Sequence, residues 1–435
     1  MSKFQIIIII IFVAVGIVAV LIFAGILPGF KKQGSGGNEI EVSMWGIFSK
    51  NKIRSLVSDF NDKNKNSFKI NYSEKKVSDY ENELLDALAS GQGPDIWVLT
   101  QDAILKNKNK IYPISFDSYK ERDFRDNFLD SAELFLDLKN KNAIGLPIAV
   151  DPIVLYWNRD LFSSTGIAKP PQYWDEFLTD VQILVKKDEA GNIVQAGAAF
   201  GEFTNVKNSK DILSMLILQT GNSIVNKDTL EVVLGEKGDN ALDPTESSIR
   251  FFNEFSNPGK SSYSWNRALP DSETMFVSGS LAMYFGYGSE LDDIKQKNPH
   301  LNFDIAVVPQ IRDGKVMATF GKIYSLVISK NSSQIQTAFP TITALSAKDF
   351  SKSFSEVMGL GSASRDVLAA VANDPILSII YKSSVMSRAW LEPNPETVYE
   401  IFKNMVESTA TGRVKISEAV SQAKGRLEQL IKSNQ

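Results

Sequence analysis

The stretch GLPIAVDPIVLYWNRDLF, residues 145–162, decides the fold of this 435-residue chain. Its apolar run at 153–157 predicts a β-strand. Upstream of it, apolar–polar alternation and helical spacing predict three strands that alternate with two helices, at 40–45, 51–60, 68–72, 80–90 and 95–99. Because strands and helices alternate along the chain, we expect an α/β fold with parallel strands.

The composition excludes several classes of function. The net charge is −4, which does not suggest a nucleic-acid partner. The chain has no cysteine, so disulfides, thiolate metal sites, a cysteine nucleophile and lipidation of an N-terminal cysteine are ruled out. Its one histidine, His300, lies in a polar loop, which argues against a histidine triad or a multi-histidine metal site. We expect no metal and no cofactor.

The N-terminus has the pattern of a membrane segment. No charged side chain occurs from Phe4 to Phe30, and about 20 apolar residues suffice to span a bilayer. This run exceeds the core of an ordinary cleavable signal peptide, so we predict a transmembrane signal anchor at 1–30, with a cleaved signal as the alternative. Glycine and serine at 31–39 predict a flexible linker. Lysines flank the run on both sides, so charge alone does not set its orientation.

Four segments carry a resemblance to a known family. They are Gly93-Pro94-Asp95-Ile96, the stretch at 145–162 with its continuation to Trp174-Asp175-Glu176-Phe177, Phe276-Val277-Ser278-Gly279-Ser280-Leu281-Ala282-Met283, and Val308-Pro309 followed by Gly321. In this order and spacing the chain resembles the family 1 extracellular solute-binding proteins, whose maltose-binding relatives serve ABC importers. The second segment is the specific one. The N-terminal spanning run departs from the cleaved signal or lipidated cysteine usual in that family.

The resemblance implies two α/β lobes of the periplasmic-binding-protein type II kind, with the ligand in the cleft between them and closure about a hinge. It implies a first lobe at 40–149 and 285–322, a second lobe at 150–284 and 323–435, and crossings near Val150-Asp151, Tyr284-Phe285 and Gly321-Lys322. It also implies a small-molecule ligand, a carbohydrate, and permease subunits as partners. The large domain is then expected outside the cytoplasm, held at the cell membrane by one pass.

A sugar presents hydroxyl groups and apolar C–H faces, so its site needs carboxylates, amides and aromatic rings. Ligands of open α/β sheets lie beyond the carboxyl ends of strands. Trp45 ends the first strand, and the loop with Thr100 and Gln101 ends the third, so we expect all three at the cleft. A tryptophan beside a strand also suits a core. Asp95 begins the third strand, where a structural hydrogen bond is the alternative to ligand binding.

The other candidates lie nearer the expected hinge or farther along the chain. The resemblance implies that the carboxylate of Asp151 accepts ligand hydroxyls. Tyr156 and its neighbour Trp157 lie on opposite faces of one strand, so at most one of them faces the cleft, and Tyr156 is the candidate. The remaining candidates are two aromatic residues in glycine-containing loops, an arginine in a Gly/Ser-rich loop and a tryptophan in the helical C-terminal part, namely Phe203, Tyr287, Arg365 and Trp390.

Three functions remain open at this level. The first is a non-catalytic binding component that delivers a carbohydrate to an ABC importer. The second is a sensor or scaffold whose binding lobes signal to a partner without transport. The third is a membrane-anchored enzyme that acts on glycans through two carboxylates, for which acidic residues are plentiful but no pair is placed by the sequence. The resemblance favours the first.

Overall fold

The computed structural model describes residues 40–65, 67–237, 243–370 and 372–433. The predicted signal anchor at 1–30 and linker at 31–39 lie outside these ranges. Within them, no helix combines the length and apolarity that a bilayer crossing requires.

The described residues form fourteen strands, which we number in chain order. They are β1 (Ile40–Gly46), β2 (Phe68–Glu74), β3 (Ile96–Thr100), β4 (Ile114–Ser115), β5 (Leu136–Asp137), β6 (Asn142–Ala143), β7 (Leu146–Asn158), β8 (Lys186–Lys187), β9 (Ile193–Ala198), β10 (Leu281–Tyr287), β11 (Phe303–Ala306), β12 (Thr319–Ile328), β13 (Gly361–Ser362) and β14 (Ser387–Arg388).

The α-helices of the described residues are α1 (Lys50–Asn64), α2 (Tyr80–Ala89), α3 (Ile104–Asn107), α4 (Glu121–Asn127), α5 (Arg159–Ser164), α6 (Trp174–Leu184), α7 (Ser209–Gln219), α8 (Pro244–Glu254), α9 (Ser272–Val277), α10 (Leu291–Lys297), α11 (Ile335–Leu345), α12 (Lys348–Met358), α13 (Arg365–Leu368), α14 (Pro375–Val385), α15 (Pro395–Ala410) and α16 (Ile416–Ser433). Short 3₁₀ turns at Gln101–Ala103, Lys108–Lys110, Asp130–Phe135 and Gly288–Glu290 connect some of them.

Helix starts follow local chemistry. The Asp243 carboxylate accepts from the backbone N–H groups of Thr245 and Glu246, and Pro244 occupies the first turn of α8. Asn158 caps α5 in the same way. These side chains satisfy donors that the helix itself leaves unpaired. Asp243-Pro244-Thr245 is thus a local start signal for α8.

One long sheet connects the strands in the order β2-β1-β3-β12-β7-β10-β9-β8. Strand β1 is parallel to β2 and β3, as the strand–helix alternation predicted. Strand β12 then runs antiparallel to both β3 and β7, and β10 runs antiparallel to β7. The α/β class is thus confirmed, with long antiparallel strands in the middle of the sheet.

Strand β7 joins the two halves of the molecule. Its thirteen residues are buried apart from Trp157, which is partly exposed. Up to Pro152 the strand pairs with β12, and from Ile153 it pairs with β10. Pro152 stands where the partner changes, and Pro147 stands at a register irregularity with β12. Because proline cannot donate to a ladder, such positions tolerate it, whereas the sequence alone predicted only 153–157 as strand.

The buried apolar side chains form two cores. The first contains residues from 42–150 and 323–368, and the second contains residues from 153–308 and 398–431. The chain changes core between Val150 and Ile153 and again between Phe320 and Ile323, at two of the three expected crossings. We refer to the parts around these cores as the first and second lobe.

The cores divide the chain differently from the expected lobe boundaries elsewhere. Tyr284 and Phe285 lie in the second core, and the chain stays there through Val308, so the buried core does not change at Tyr284-Phe285, where a crossing is expected from sequence. The segment 285–322 therefore belongs with the second lobe through Val308. The segment from Ile323 through Leu368 belongs with the first. Between Ile380 and Leu391 the chain contributes side chains to both cores, and from Val398 onward its buried side chains lie in the second core.

Candidate functional site

The first lobe presents side chains at the carboxyl ends of its parallel strands. Trp45 is the penultimate residue of β1 and pairs with Trp97 of the neighbouring strand β3, which ends at Thr100. The ammonium of Lys75 lies 3.7 Å from the Trp45 ring centroid, a cation–π contact that covers one ring face. The Thr100 hydroxyl donates to the carboxylate of Asp102 in the turn that follows. Trp45 and Thr100, two of the predicted site residues, therefore lie at the same edge of the sheet.

Gln101 connects this edge to a crossing strand. Its side chain is fully buried, and its Oε1 accepts a hydrogen bond of 2.7 Å from the backbone N–H of Ile323 on β12. Ile323 is the first residue of β12 that belongs to the first core. This hydrogen bond connects the turn after β3 to a strand that crosses between the two cores.

Asp151 lies between the two crossing strands. It faces Lys322 in the β7–β12 register, and its Oδ1 accepts a 3.0 Å hydrogen bond from the backbone N–H of Ser289. The side chain is 2% exposed. Burial raises the pKa of Asp151 to about 6, while the hydrogen bonds from Ser289 and the charge of Lys322 oppose that rise. Because this carboxylate is shielded from water, a hydrogen-bond donor on a ligand would stabilise its charged form strongly.

The second lobe contributes an aromatic side chain from β10 and charged side chains from α7 and from the segment after β14. The Tyr287 hydroxyl donates to Oδ2 of Asp211 at 2.8 Å, and the ammonium of Lys322 lies 4.9 Å from the Tyr287 ring centroid. Lys210 Nζ lies 2.6 Å from both carboxylate oxygens of Glu392 and 3.2 Å from Oδ1 of Asp211. Glu392 is fully buried, so this ion pair is held inside the protein.

Electrostatic effects couple charged groups of the two lobes. Burial lowers the pKa of Lys210, but the charges of Asp211, Glu392 and Asp102 raise it more, so the pKa lies above its ordinary value. Asp102 also helps to raise the pKa of Tyr287 in the second lobe. We call the set the inter-lobe cluster; it consists of Asp102, Asp151, Lys210, Asp211, Tyr287, Lys322 and Glu392.

Two other predicted site residues, Asp95 and Tyr156, make structural hydrogen bonds. Asp95 stands at the amino end of β3, the opposite end from Thr100, and its carboxylate accepts from the backbone and hydroxyl of Ser43 and from the hydroxyl of Ser332. Tyr156 is fully buried, and its hydroxyl donates to the backbone carbonyl of Tyr287 at 2.6 Å. Both side chains therefore make hydrogen bonds within the protein.

Three further predicted site residues also have structural contacts. Phe203 is fully buried and packs on Tyr399. Trp390 is 1% exposed, stacks on Phe402 and donates to the hydroxyl of Ser214. Arg365 donates to the backbone carbonyl of Arg125 and pairs with Asp130, which fastens α13 to the first lobe. The structure places none of the three in the inter-lobe cluster.

Most of the charged members of the cluster were missed from sequence. Asp102 had been placed only in a loop that follows β3, and Lys322 only at a crossing. Lys210-Asp211 is an adjacent pair of opposite charges at a helix start, which usually indicates a solvated helix end. Glu392 lies more than 180 residues farther along the chain. Only the folding of α7 against the segment after β14 brings these charges together.

The chemistry of the cluster suits binding. Carboxylates accept hydrogen bonds, ammonium groups and hydroxyls donate them, and Trp45 offers an aromatic face nearby. Across the described ranges, no three acidic or histidine side chains are grouped closely enough to hold a metal ion. One surface cavity, with a volume of about 450 Å³, is lined by residues of α10, α12, α13 and α14 and shares no residue with the cluster.

Two lobes joined by crossing strands, with polar side chains from both lobes meeting at the junction, define a hinged ligand-binding protein. The family model described as "Bacterial extracellular solute-binding protein" matches residues 49–352, and the chain belongs to this family. The description of the family places its members among extracellular solute-binding proteins. Proteins of this family bind solutes and are not enzymes.

Curated relatives and solved structures agree with this assignment. Putative binding proteins of Brucella abortus and Brucella suis are 26% identical over 246 residues, which is 56% of this chain and 56% of theirs. The chain thus matches somewhat over half the length of these relatives.

Solved structures with similar folds are sugar-binding proteins. One is the cyclic alpha-maltosyl-1,6-maltose binding protein of Arthrobacter globiformis, with a TM-score of 0.75 at 16% identity, covering 91% of this chain and 100% of that one. Another is a cyclo/maltodextrin-binding protein complexed with maltotetraose, with a TM-score of 0.70 at 17% identity, covering 92% and 98%. At these identities the likeness shows the fold.

Proposed function

We propose that this protein is a membrane-anchored, extracytoplasmic solute-binding protein that captures a carbohydrate between its lobes and delivers it to an ABC importer. The observation that carries the proposal is the inter-lobe cluster. Asp102 comes from the first lobe, Asp151 and Lys322 come from the crossing strands, and Lys210 and Glu392 come from the second lobe. A ligand that contacts all three parts favours one relative position of the lobes.

The chemistry of the cluster matches that of a sugar. Sugar hydroxyls both donate and accept, and here carboxylates from Asp102 and Asp151 stand ready to accept while Lys322 donates. Trp45 lies at the same sheet edge as Thr100, where the ring face away from Lys75 suits the apolar C–H face of a pyranose. Gln101, Asp211 and Tyr287 complete the proposed site. The solutes named for the structural relatives, such as maltotetraose, support the same ligand class.

Closure of the lobes follows from the connections between them. Strands β7 and β12 pair side by side and cross together from one core to the other. Adjacent crossing strands of this kind act as a hinge, because a small change in backbone angles rotates one rigid lobe against the other. A ligand stabilises the closed position only by the interactions that it makes there and not in the open one.

The proposed delivery to an importer rests on the family and on the N-terminal sequence. The uncharged run from Phe4 to Phe30 is long enough to anchor the chain, which keeps the binding lobes close to membrane-embedded permease subunits. Anchoring raises the effective concentration of the binding protein at the permease. Fractionation tests this part: the full chain is expected in the membrane fraction and a chain that starts at residue 39 in the soluble one.

Binding is tested by isothermal titration calorimetry on the full chain in detergent micelles, with maltose, malto-oligosaccharides, manno-oligosaccharides, polyols, polyamines and peptides. A carbohydrate is expected to bind with 1:1 stoichiometry. Asp151→Asn is expected to weaken binding at least tenfold, because it removes a buried acceptor of ligand hydroxyls. The matched control Asp86→Asn makes the same change on an exposed residue of the first lobe and is expected to leave the affinity unchanged. Binding of a polyamine or peptide in place of any carbohydrate would refute the proposed ligand class.

A further inference from the structure

Another surface cavity lies between helices α15 and α16 of the second lobe and shares no residue with the inter-lobe cluster. Its volume is about 210 Å³, many times the roughly 10 to 15 Å³ that a single water molecule needs. Asn404 and Ser408 of α15 are four residues apart, and so are Gln422 and Arg426 of α16, so each helix contributes two polar side chains from one face. Arg413, from the turn that joins the two helices, also lines the cavity.

The base of this cavity is apolar and firmly packed. The buried residues that line it are Ile401, Met405, Ala419 and Ala423. Met405, Ala419 and Ala423 are at most 3% exposed, and all four side chains belong to the second core. The base is therefore set by the packing of α15 on α16, while the exposed polar side chains form the rim.

Two arginines and no acidic residue line the cavity, although the whole chain has a net charge of −4. Arg413 donates to the hydroxyl of Thr411 at 3.0 Å, and within the described part of the chain neither Arg413 nor Arg426 forms an ion pair with a carboxylate. The carboxylate of Glu418 accepts from the amide of Gln422 at 3.3 Å but does not line the cavity. By contrast, residues of both charges line the 450 Å³ cavity. The lining of the smaller cavity therefore favours an anion.

We propose that this cavity binds a small anion that carries a phosphate group, with Arg413 and Arg426 as its charge partners. A guanidinium group stays protonated and donates through a planar fork that matches the oxygens of phosphate or carboxylate. A phosphate monoester carries a charge of roughly −1.5 to −2 near pH 7, which two guanidinium groups balance, whereas a carboxylate carries a single negative charge. The apolar base suits the carbon part of a phosphate ester. This site is separate from the proposed carbohydrate site, because the two share no residue.

The experiment measures binding to the full chain in detergent micelles by calorimetry, with inorganic phosphate, glycerol 3-phosphate, acetate and glycerol. We expect both phosphates to bind with 1:1 stoichiometry, acetate to bind at least tenfold more weakly and glycerol not to bind. Arg413→Gln and Arg426→Gln are each expected to weaken phosphate binding at least fivefold, because each removes one of the two positive charges. The matched control Arg54→Gln removes an exposed arginine of the first lobe that donates to the amide oxygen of Asn51, and it is expected to change the affinity less than twofold.

A second arm identifies the source of the phosphate group. Micelles that contain phosphatidic acid are compared with micelles that contain the same fraction of laurate, which matches the charge and lacks phosphate. If phosphatidic acid weakens the binding of glycerol 3-phosphate at least tenfold more than laurate does, the ligand is a lipid headgroup; equal effects of the two indicate a soluble phosphate.

Two results would overturn the inference. One is that neither phosphate binds the wild-type protein at about 10 mM ligand. The other is that Arg413→Gln and Arg426→Gln bind phosphate as tightly as Arg54→Gln does, which would place the phosphate elsewhere on the protein. Either result leaves the carbohydrate proposal intact, because that proposal rests on the inter-lobe cluster.

Discussion

Replacement of Asp151 by asparagine is expected to make the unliganded protein more stable and its binding weaker. The carboxylate is 2% exposed, and burial raises its pKa from 3.8 to about 6. One pKa unit corresponds to about 1.4 kcal/mol, so ionising this group in the folded protein costs roughly 3 kcal/mol. Asparagine keeps the oxygen that accepts from Ser289 and carries no charge. The variant also removes the negative charge beside Lys322, so the free energy of unfolding is expected to rise by about 2 to 3 kcal/mol.

The dependence on pH identifies the cause. A carboxyl group whose pKa is higher in the folded than in the unfolded state binds more protons when folded, so stability is fully present below about pH 4 and is lost as the pH rises to about 6. Urea denaturation is measured for wild type and Asp151→Asn from pH 3.5 to 7.5. The difference between them is expected to be small at pH 3.5, to grow up to about pH 6 and then to level off.

The matched control is Asp86→Asn, which removes an exposed carboxylate of the same lobe. Its effect on the free energy of unfolding is expected to stay within about 0.5 kcal/mol at every pH. Groups that titrate alike in both proteins cancel in the difference. If the difference is the same at pH 4 and pH 7, or if Asp151→Asn is the less stable protein at pH 7, then the carboxylate is not held at an energetic cost and the reasoning is wrong.

Three further predictions concern packing and the contact between lobes. Gly361→Ala is expected to lower the free energy of unfolding in urea by more than about 2 kcal/mol, because the new Cβ would lie 1.9 Å from the Ser384 hydroxyl oxygen. Gly425→Ala in α16, where the new Cβ meets open space, is expected to raise the free energy of unfolding by up to about 1 kcal/mol. Lys227 of the second lobe pairs with Glu133 of the first. Because the pair is partly exposed, a double-mutant cycle with alanine at both positions is expected to give a coupling free energy of about 0.2 to 1 kcal/mol. A coupling of zero would show that the pair does not stabilise the contact between the lobes. Trp390→Ala is expected to cost about 3 to 5 kcal/mol of folding stability, and ligand affinity of the protein that still folds should change less than threefold; a larger loss would return Trp390 to the site.

Local signals in the sequence were sufficient for much of the architecture. The alternation of apolar and polar residues located β1 and β2, helical spacing located α1 and α2, and Asp243-Pro244 located the start of α8. The limits of β7 were underestimated, since Pro147 and Pro152 argue locally against a central strand. The strand tolerates them because one lies at a register irregularity and the other where the pairing partner changes.

The candidate site was only partly predictable from local signals in the sequence. Trp45, Thr100 and Gln101 were identifiable because they follow strand ends, where parallel sheets gather side chains. Phe203 and Trp390 were chosen by residue type, and type does not distinguish an aromatic ring that lines a cleft from one that fills a core. Phe203 packs on Tyr399 and Trp390 packs on Phe402, and both partners lie on α15, which contains neither Phe203 nor Trp390.

The sequence by itself determined the α/β class, the family resemblance, the absence of cysteine chemistry and the uncharged run at the N-terminus, because each depends on residue identity or short-range periodicity. Only the tertiary structure decided which lobe each segment joins and which charges meet. Lys210 and Glu392 are 182 residues apart, and their ion pair forms because α7 and the segment after β14 pack together. No local pattern encodes such a contact, since its energy arises from burial and charge that exist only after the chain has folded.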